Sequence, residues 1–149
     1  MRYLIFAFFI GVSSINAQSI DYNLKKGYVA EGYDVVAYFN NEAIEGDKKY
    51  STTHDGVNYK FSSQNNLDAF LKAPEKYIPQ YGGYCAYAIA EKSKKVGINP
   101  KTFEIRNGKL YLFYNKWGTN TLELWEKNIL KDVKGYVSKA DLNWEAIKN

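Results

Sequence analysis

The chain has few of the side chains on which most enzymes and metal centres depend. Its 149 residues include one cysteine, Cys85, one histidine, His54, and one methionine, Met1. A single cysteine cannot close a disulfide within the chain, so the thiol is buried, bound to a ligand, paired with another chain or reactive. A closed structural zinc site takes four cysteine and histidine ligands, and the sequence supplies only two.

The chain also lacks a concentrated charge of either sign. Its net charge is +4, and its paired lysines lie apart, at positions 25–26, 48–49 and 94–95. Nucleic-acid-binding domains carry a clustered basic stripe, which is absent here. We therefore expect no nucleic-acid partner, and we interpret the lysine pairs as solvated surface.

The first 17 residues, MRYLIFAFFIGVSSINA, differ in composition from the rest. They begin with Arg2, continue through an apolar run over residues 3–12 and close on a polar stretch ending at Ala17. This order is typical of a secretory signal peptide, and the apolar run is too short to span a bilayer. We predict a signal peptide over residues 1–17, an exported protein (periplasmic or secreted), and no membrane span after cleavage.

Two β-hairpins are predicted from their turn dipeptides. Asp55-Gly56 and Asn107-Gly108 favour the positive φ of a two-residue turn, and they predict hairpins over residues 50–61 and 102–114. In the first hairpin this register pairs His54 with Val57, Thr52 with Tyr59, and Tyr50 with Phe61. These pairs share one face, which places His54 on the side of the core.

The remaining elements alternate with these hairpins. We predict a buried strand over residues 32–39 and a helix that is capped by Ser62 or Ser63 and stops at Pro74. A further helix is predicted over residues 84–91. The C-terminal part is predicted to be helical, and Ser138 with Asp141 caps its last helix. Strands in hairpins interspersed with helices give an α+β fold. We expect small antiparallel hairpins packed with several short helices in one domain over residues 18–149.

Four segments resemble the exported YHS-domain proteins. They are GYDVVAYF, GVNYKFSSQNNLDAFLKAPEKYIPQYGGYCAYAIA, NGKLYLFYN and ADLNW, and the likeness extends over about residues 28–145. The run PEKY-PQYGGYCA after a strand and a helix carries most of the resemblance. It implies an exported binding module.

The wider family is distantly similar to TRASH-type metal-sensing domains, which hold cysteines in a short strand-and-helix unit. On this chain two of those cysteine positions fall on Ser62 and Asn66, and an earlier one falls near Ala37. A cysteine-rich zinc site of that kind cannot form here, because thiolates supply its binding energy.

The resemblance directs attention to Cys85 and His54. A thiolate and an imidazole suit copper or zinc, and Asp55 is a further oxygen ligand. We therefore predict a copper or zinc site held by Cys85, His54 and Asp55. The residues predicted to orient the ligands or line a pocket are Tyr59, Tyr81, Gly82, Gly83 and Tyr84.

Two other functions fit the same residues. Cys85 and His54 could act as a nucleophile and its base, although no acid stands at a telling spacing to orient the pair. The chain could also be a small-ligand or protein-interaction domain in which Cys85 is a buried hydrophobe. We expect a binding module, with a metal ion or small ligand as its partner, rather than an enzyme, and no pattern in the sequence indicates an oligomeric state.

Overall fold

The structure, a computed structural model, describes residues 19–149, so the predicted signal peptide lies outside the described residues. The strands in this range are β1 (Leu24–Lys25), β2 (Tyr28–Val29), β3 (Asp47–His54), β4 (Val57–Phe61), β5 (Asn99–Arg106), β6 (Lys109–Phe113), β7 (Asn115–Lys116) and β8 (Thr119–Asn120). The helices are α1 (Gln64–Lys72), α2 (Pro74–Tyr77), α3 (Ala86–Lys92), α4 (Thr121–Lys131) and α5 (Val133–Ile147). The predicted α+β class is confirmed. Within the described range, none of the helices is long and apolar enough to cross a membrane.

The first hairpin forms around the predicted Asp55-Gly56 turn. His54 pairs with Val57 and Thr52 with Tyr59, as expected. The predicted partner of Phe61 is wrong, because a bulge between residues 47 and 51 places Asp47 opposite Phe61. Local bonds accompany the bulge: the Asp47 carboxylate accepts from the Lys49 amide, and the Ser51 hydroxyl donates to the Lys48 carbonyl. Strand β2 adds to β4 in parallel, which gives the sheet order β1-β2-β4-β3.

Residues 32–39 are buried as predicted, but they do not form the predicted strand. The Asp34 carboxylate accepts hydrogen bonds from the backbone amides of Val36 and Ala37, at 2.9 and 3.2 Å. These bonds bend the chain into a turn, and a short 3-10 helix follows over Ala37–Asn40. An aspartate that bonds the backbone two and three residues ahead offers an alternative to strand pairing, which overrode the apolar run.

The predicted helices are present, with one wrong start. Ser63 caps α1, and its hydroxyl accepts from the Asn66 amide. The last helix begins at Val133 instead of near Ser138, because the Asp132 carboxylate caps it six residues before the predicted cap by accepting from the Gly135 amide at 2.9 Å.

Strand β6 is buried on both faces and separates two hydrophobic cores. Leu110 and Leu112 pack into the first core, and Tyr111 and Phe113 pack into the second. The first core centres on Phe70, which contacts the rings of Tyr59 and Phe61. The second surrounds Trp125, whose indole N–H donates to Glu104 at 2.9 Å. The predicted second hairpin is confirmed by the pairs Phe103–Leu112 and Ile105–Leu110.

Buried tyrosines make the fold sensitive to alkali. Burial raises the pKa of Tyr38, Tyr59, Tyr81 and Tyr136 above the ordinary 10.0, and it raises the pKa of Tyr111 to about 12. Because the folded state holds these protons more tightly than the unfolded state, their stabilisation is complete below pH 10 and is lost as the pH rises above it.

We therefore expect the urea concentration at the unfolding midpoint to fall steeply above about pH 10. The free energy of unfolding should decrease by about 1.4 kcal/mol per pH unit for each tyrosine that stays protonated in the fold. Tyrosinate absorbance should rise together with the loss of near-ultraviolet circular dichroism. A smooth titration of these tyrosines with the dichroism intact would contradict the expectation.

Candidate functional site

The first hairpin turn and the short helix α2 bring three ligand-type side chains together. His54 ends β3, Asp55 begins the turn, and Glu75 lies in the first turn of α2. The His54 Nε2 atom lies 3.3 Å from Glu75 Oε1 and 3.5 Å from Asp55 Oδ2. All three ligand atoms lie within 4.8 Å of one another. We call these three residues the His54 cluster.

The imidazole of the His54 cluster rests on the first core. Its ring stands edge-on to Phe70, with the centroids 5.8 Å apart. The His54 side chain is 26% exposed, whereas Asp55 and Glu75 are 60% and 82% exposed. One side of the cluster is therefore supported by packed aromatic rings, and the carboxylate side is open to solvent.

Tyr59 lies under the same corner. It is 1% exposed, and among residues 19–149 its hydroxyl has no hydrogen bond of normal geometry, although the Tyr22 hydroxyl is a neighbour. Burial raises the pKa of Tyr59 most, and Tyr22, Asp55 and Glu75 raise it further. The pKa of this hydroxyl therefore depends on both carboxylates of the cluster. The hydroxyl also carries a proton that it can donate to a group that binds there.

Cys85 is held in a different environment. It is fully buried at the start of α3, its amide donates to the Val96 carbonyl at 2.9 Å, and it bridges to Leu112 of β6. The sulfur lies 3.3 Å from the Thr121 hydroxyl oxygen. Thr121 donates its single hydroxyl proton to the Tyr114 carbonyl at 2.8 Å. The thiol must therefore be the donor to Thr121, which favours a protonated sulfur.

The predicted ligands do not all converge. Among the described residues 19–149, the group of three or more side chains with ligand atoms in mutual reach consists of His54, Asp55 and Glu75, and it does not include Cys85. Cys85 instead lines a mainly apolar cavity of about 300 Å³ with Tyr114 and Thr121. His54 and Asp55 are brought together as predicted, and Glu75 joins them.

The predicted pocket loop packs against Asp21 and helix α5. The Tyr81 hydroxyl donates to Asp141 of α5 at 2.9 Å, and the Tyr84 hydroxyl donates to Asp21 at 3.2 Å. Gly82 and Gly83 both have a positive φ. At Gly82 it is needed for close packing, since a Cβ atom there would lie 2.6 Å from the Asp21 carbonyl oxygen. These hydroxyls are thus engaged away from the His54 cluster.

Glu75 was not predicted as a metal ligand, because its sequence context gives only a weak signal for that role. It follows Pro74 at the start of a helix, where an acid is favoured by the helix dipole without any ligand role. Only the packing of α2 beside the hairpin turn brings it to His54.

Asp34 was also missed, although it organises the residues around it. Its carboxylate is fully buried. Oδ1 accepts from the amides of Val36 and Ala37, and Oδ2 accepts from the Ser62 amide, the Ser62 hydroxyl and the Asn66 side-chain amide, at 2.7 to 3.2 Å. Ser62, Asn66 and Ala37 are the three positions on which the resemblance placed cysteines. In this chain all three donate to one carboxylate.

Replacing Asp34 with Asn should destabilise the fold by about 2–4 kcal/mol. The amide nitrogen of Asn cannot accept hydrogen bonds, so at least two buried donors would lose their partner. Urea unfolding measures the change. Asp68→Asn is the matched control, because Asp68 is exposed on α1 and accepts from Gln64 alone. Equal stability of the two variants would contradict this role of Asp34.

Cys85 should react slowly with iodoacetamide in the native protein, because its sulfur is shielded and its S–H is donated to Thr121. Labelling should become fast in urea. A native rate close to that of the unfolded chain, slowed by His54→Ala, would instead indicate a reactive thiol paired with imidazole.

Comparison with known proteins agrees with the resemblance. No curated protein and no solved structure matches the chain. The model of the family described as YHS domain matches residues 35–81. That range contains β3, β4, α1, α2 and the whole His54 cluster. Residues 35–81 are therefore similar to the YHS domain.

Proposed function

We propose that this protein is an exported YHS-like module that binds a divalent transition-metal ion, zinc or copper, through His54, Asp55 and Glu75. The observation that carries the proposal is the mutual approach of one imidazole and two carboxylates within 4.8 Å. Exposed acidic groups alone would carry little weight. The packing of the imidazole against Phe70 adds to it.

The donor set favours particular metal ions. Nitrogen and carboxylate oxygen ligands suit Zn²⁺ and Cu²⁺, whereas Cu⁺ prefers sulfur. Three protein ligands leave a coordination position for water or a partner's group. Because both carboxylates are largely exposed, we expect reversible binding that loads and releases the ion, rather than a structural site that holds the fold together.

The cluster also has a stable state without metal. A protonated His54 would pair with Glu75 and Asp55 at their present distances. Metal binding would displace that proton and replace two weak surface ion pairs. Affinity should therefore fall as the pH is lowered, because protons compete for the imidazole and the carboxylates.

We assign Cys85 a structural role in this proposal. For Cys85 and His54 to hold one ion, the thiol would have to leave its hydrogen bond with Thr121 and emerge from a fully buried position. The His54 cluster requires no such rearrangement.

Export is the second part of the proposal, and it rests on residues 1–17. A cleavable signal would deliver residues 18–149 to a compartment where an exposed site meets ions directly. Secretion of the full chain, with Gln18 as the mature N-terminus, is the outcome that supports it. A cytoplasmic protein that keeps Met1 would contradict it.

Titration of the metal-free protein with Zn²⁺ and Cu²⁺ in a calorimeter tests the metal site. We expect one ion per chain, with the affinity reduced by about tenfold or more in His54→Ala and in Glu75→Gln. Glu42→Gln, an exposed acid on another loop, is the matched control, and Cys85→Ser should bind as well as the native chain. Binding lost in Cys85→Ser but kept in His54→Ala would overturn the assignment, as would no binding of either ion.

A further inference from the structure

A second cavity lies on the face of the sheet formed by β1, β2, β4 and β3. Its volume is about 660 Å³. Its lining residues are Lys25, Lys26, Tyr28, Glu31, Tyr33, Glu45, Lys48, Lys60 and Pro100. None of these residues belongs to the His54 cluster. The cavity is mainly polar, in contrast to the apolar cavity beside Cys85.

Lys60 of β4 is fixed inside this cavity. Its side chain is only 12% exposed. The stem packs against the backbone of Gly32, where an added Cβ atom would lie 2.5 Å from Lys60 Cε. The ammonium lies 5.0 Å from the centre of the Tyr28 ring. A lysine held in this way has lost much of its rotational freedom before any ligand arrives.

The Lys60 ammonium has unused hydrogen-bonding capacity. Within residues 19–149 its nearest acidic oxygen is Glu45 Oε1 at 3.9 Å, which is beyond hydrogen-bond distance. Lys60 lines the cavity, and an ammonium carries three donors. A mostly buried ammonium whose acidic partner is too far away for a hydrogen bond attracts anions.

The other charges of the lining leave the cavity positive. Lys25 pairs with Glu31 at 2.5 Å, and Glu45 is the acid nearest to Lys60. Lys26 and Lys48 then remain as a surplus of two positive charges. Lys26 has a positive φ in the turn between β1 and β2, and Lys48 lies in the bulged part of β3.

We propose that this cavity is a binding site for a small multivalent oxyanion, a phosphate ester or a polycarboxylate. Lys60 donates to the anion at the bottom of the cavity, and Lys26 and Lys48 neutralise its outer oxygens. A volume of about 660 Å³ exceeds that needed for one inorganic ion and lies in the range of small-molecule sites. Tyr28 and Tyr33 supply the aromatic lining for the organic part of the ligand.

Calorimetric titration of the metal-free protein with pyrophosphate and with citrate tests the proposal. In low salt we expect saturable binding of at least one of them, weakened by about tenfold or more in Lys60→Met, which keeps the apolar stem. Lys72→Met, an exposed lysine at the end of α1, is the matched control and should bind like the native chain. Lys26→Gln combined with Lys48→Gln should weaken binding and reduce its dependence on salt.

The two probes distinguish the chemical class of the ligand. Binding of pyrophosphate alone supports a phosphate ligand, binding of citrate alone supports a carboxylate ligand, and binding of both supports recognition of charge. Absence of saturable binding, or equal losses in Lys60→Met and Lys72→Met, overturns the proposal. If Lys60→Met does not fold, the double variant of Lys26 and Lys48 decides, because both side chains lie at the rim. His54→Ala should leave anion binding unchanged, so failure of the metal site would not affect this result.

Discussion

The buried carboxylate of Asp34 is the interaction on which the first hairpin and helix α1 depend. A buried charge is costly unless its lone pairs are filled, and here five donors fill them. The donors come from the turn after Asp34, from the end of β4 and from the first turn of α1. One side chain thus fixes the hairpin, the helix and the loop before them relative to one another. Helix α2, which carries Glu75, follows α1 after a single residue, so this network also sets the position of the His54 cluster.

The same network ties the end of a strand to the start of a helix through neutral donors to one carboxylate. Ser62, directly after β4, and Asn66, in the first turn of α1, both donate to Asp34 Oδ2. The ligand-type side chains of the His54 cluster lie elsewhere, at the hairpin turn.

The parts of the fold that local chemistry determines were predictable from sequence. The Asp-Gly and Asn-Gly turns set the register of each hairpin as far as its bulge, and Ser63 set the start of α1. The errors arose where a side chain bonded to distant or competing backbone: Asp34 turned an apolar run away from strand pairing, and Asp132 capped the last helix ahead of Ser138. The candidate site was half predictable. His54 and Asp55 are neighbours in sequence, whereas the approach of Glu75 and the donation from Cys85 to Thr121 depend on tertiary packing across 21 and 36 positions.

The proposed metal site lies within the matched residues 35–81, but it depends on residues outside that range. His54 rests on Phe70, and Phe70 belongs to a core that Leu110 and Leu112 of β6 complete. The opposite face of the same strand, with Tyr111 and Phe113, is covered by α4 and α5 through Trp125 and Tyr136. Removing the C-terminal helices would expose one face of β6 and loosen the strand that closes the first core. The matched segment and the C-terminal part of the chain therefore stabilise each other. Cys85 lies where the two cores meet: its side chain packs in the first core, and the next residue, Ala86, packs in the second. A small, protonated thiol suits that position, since a larger or charged group there would disturb both cores at once.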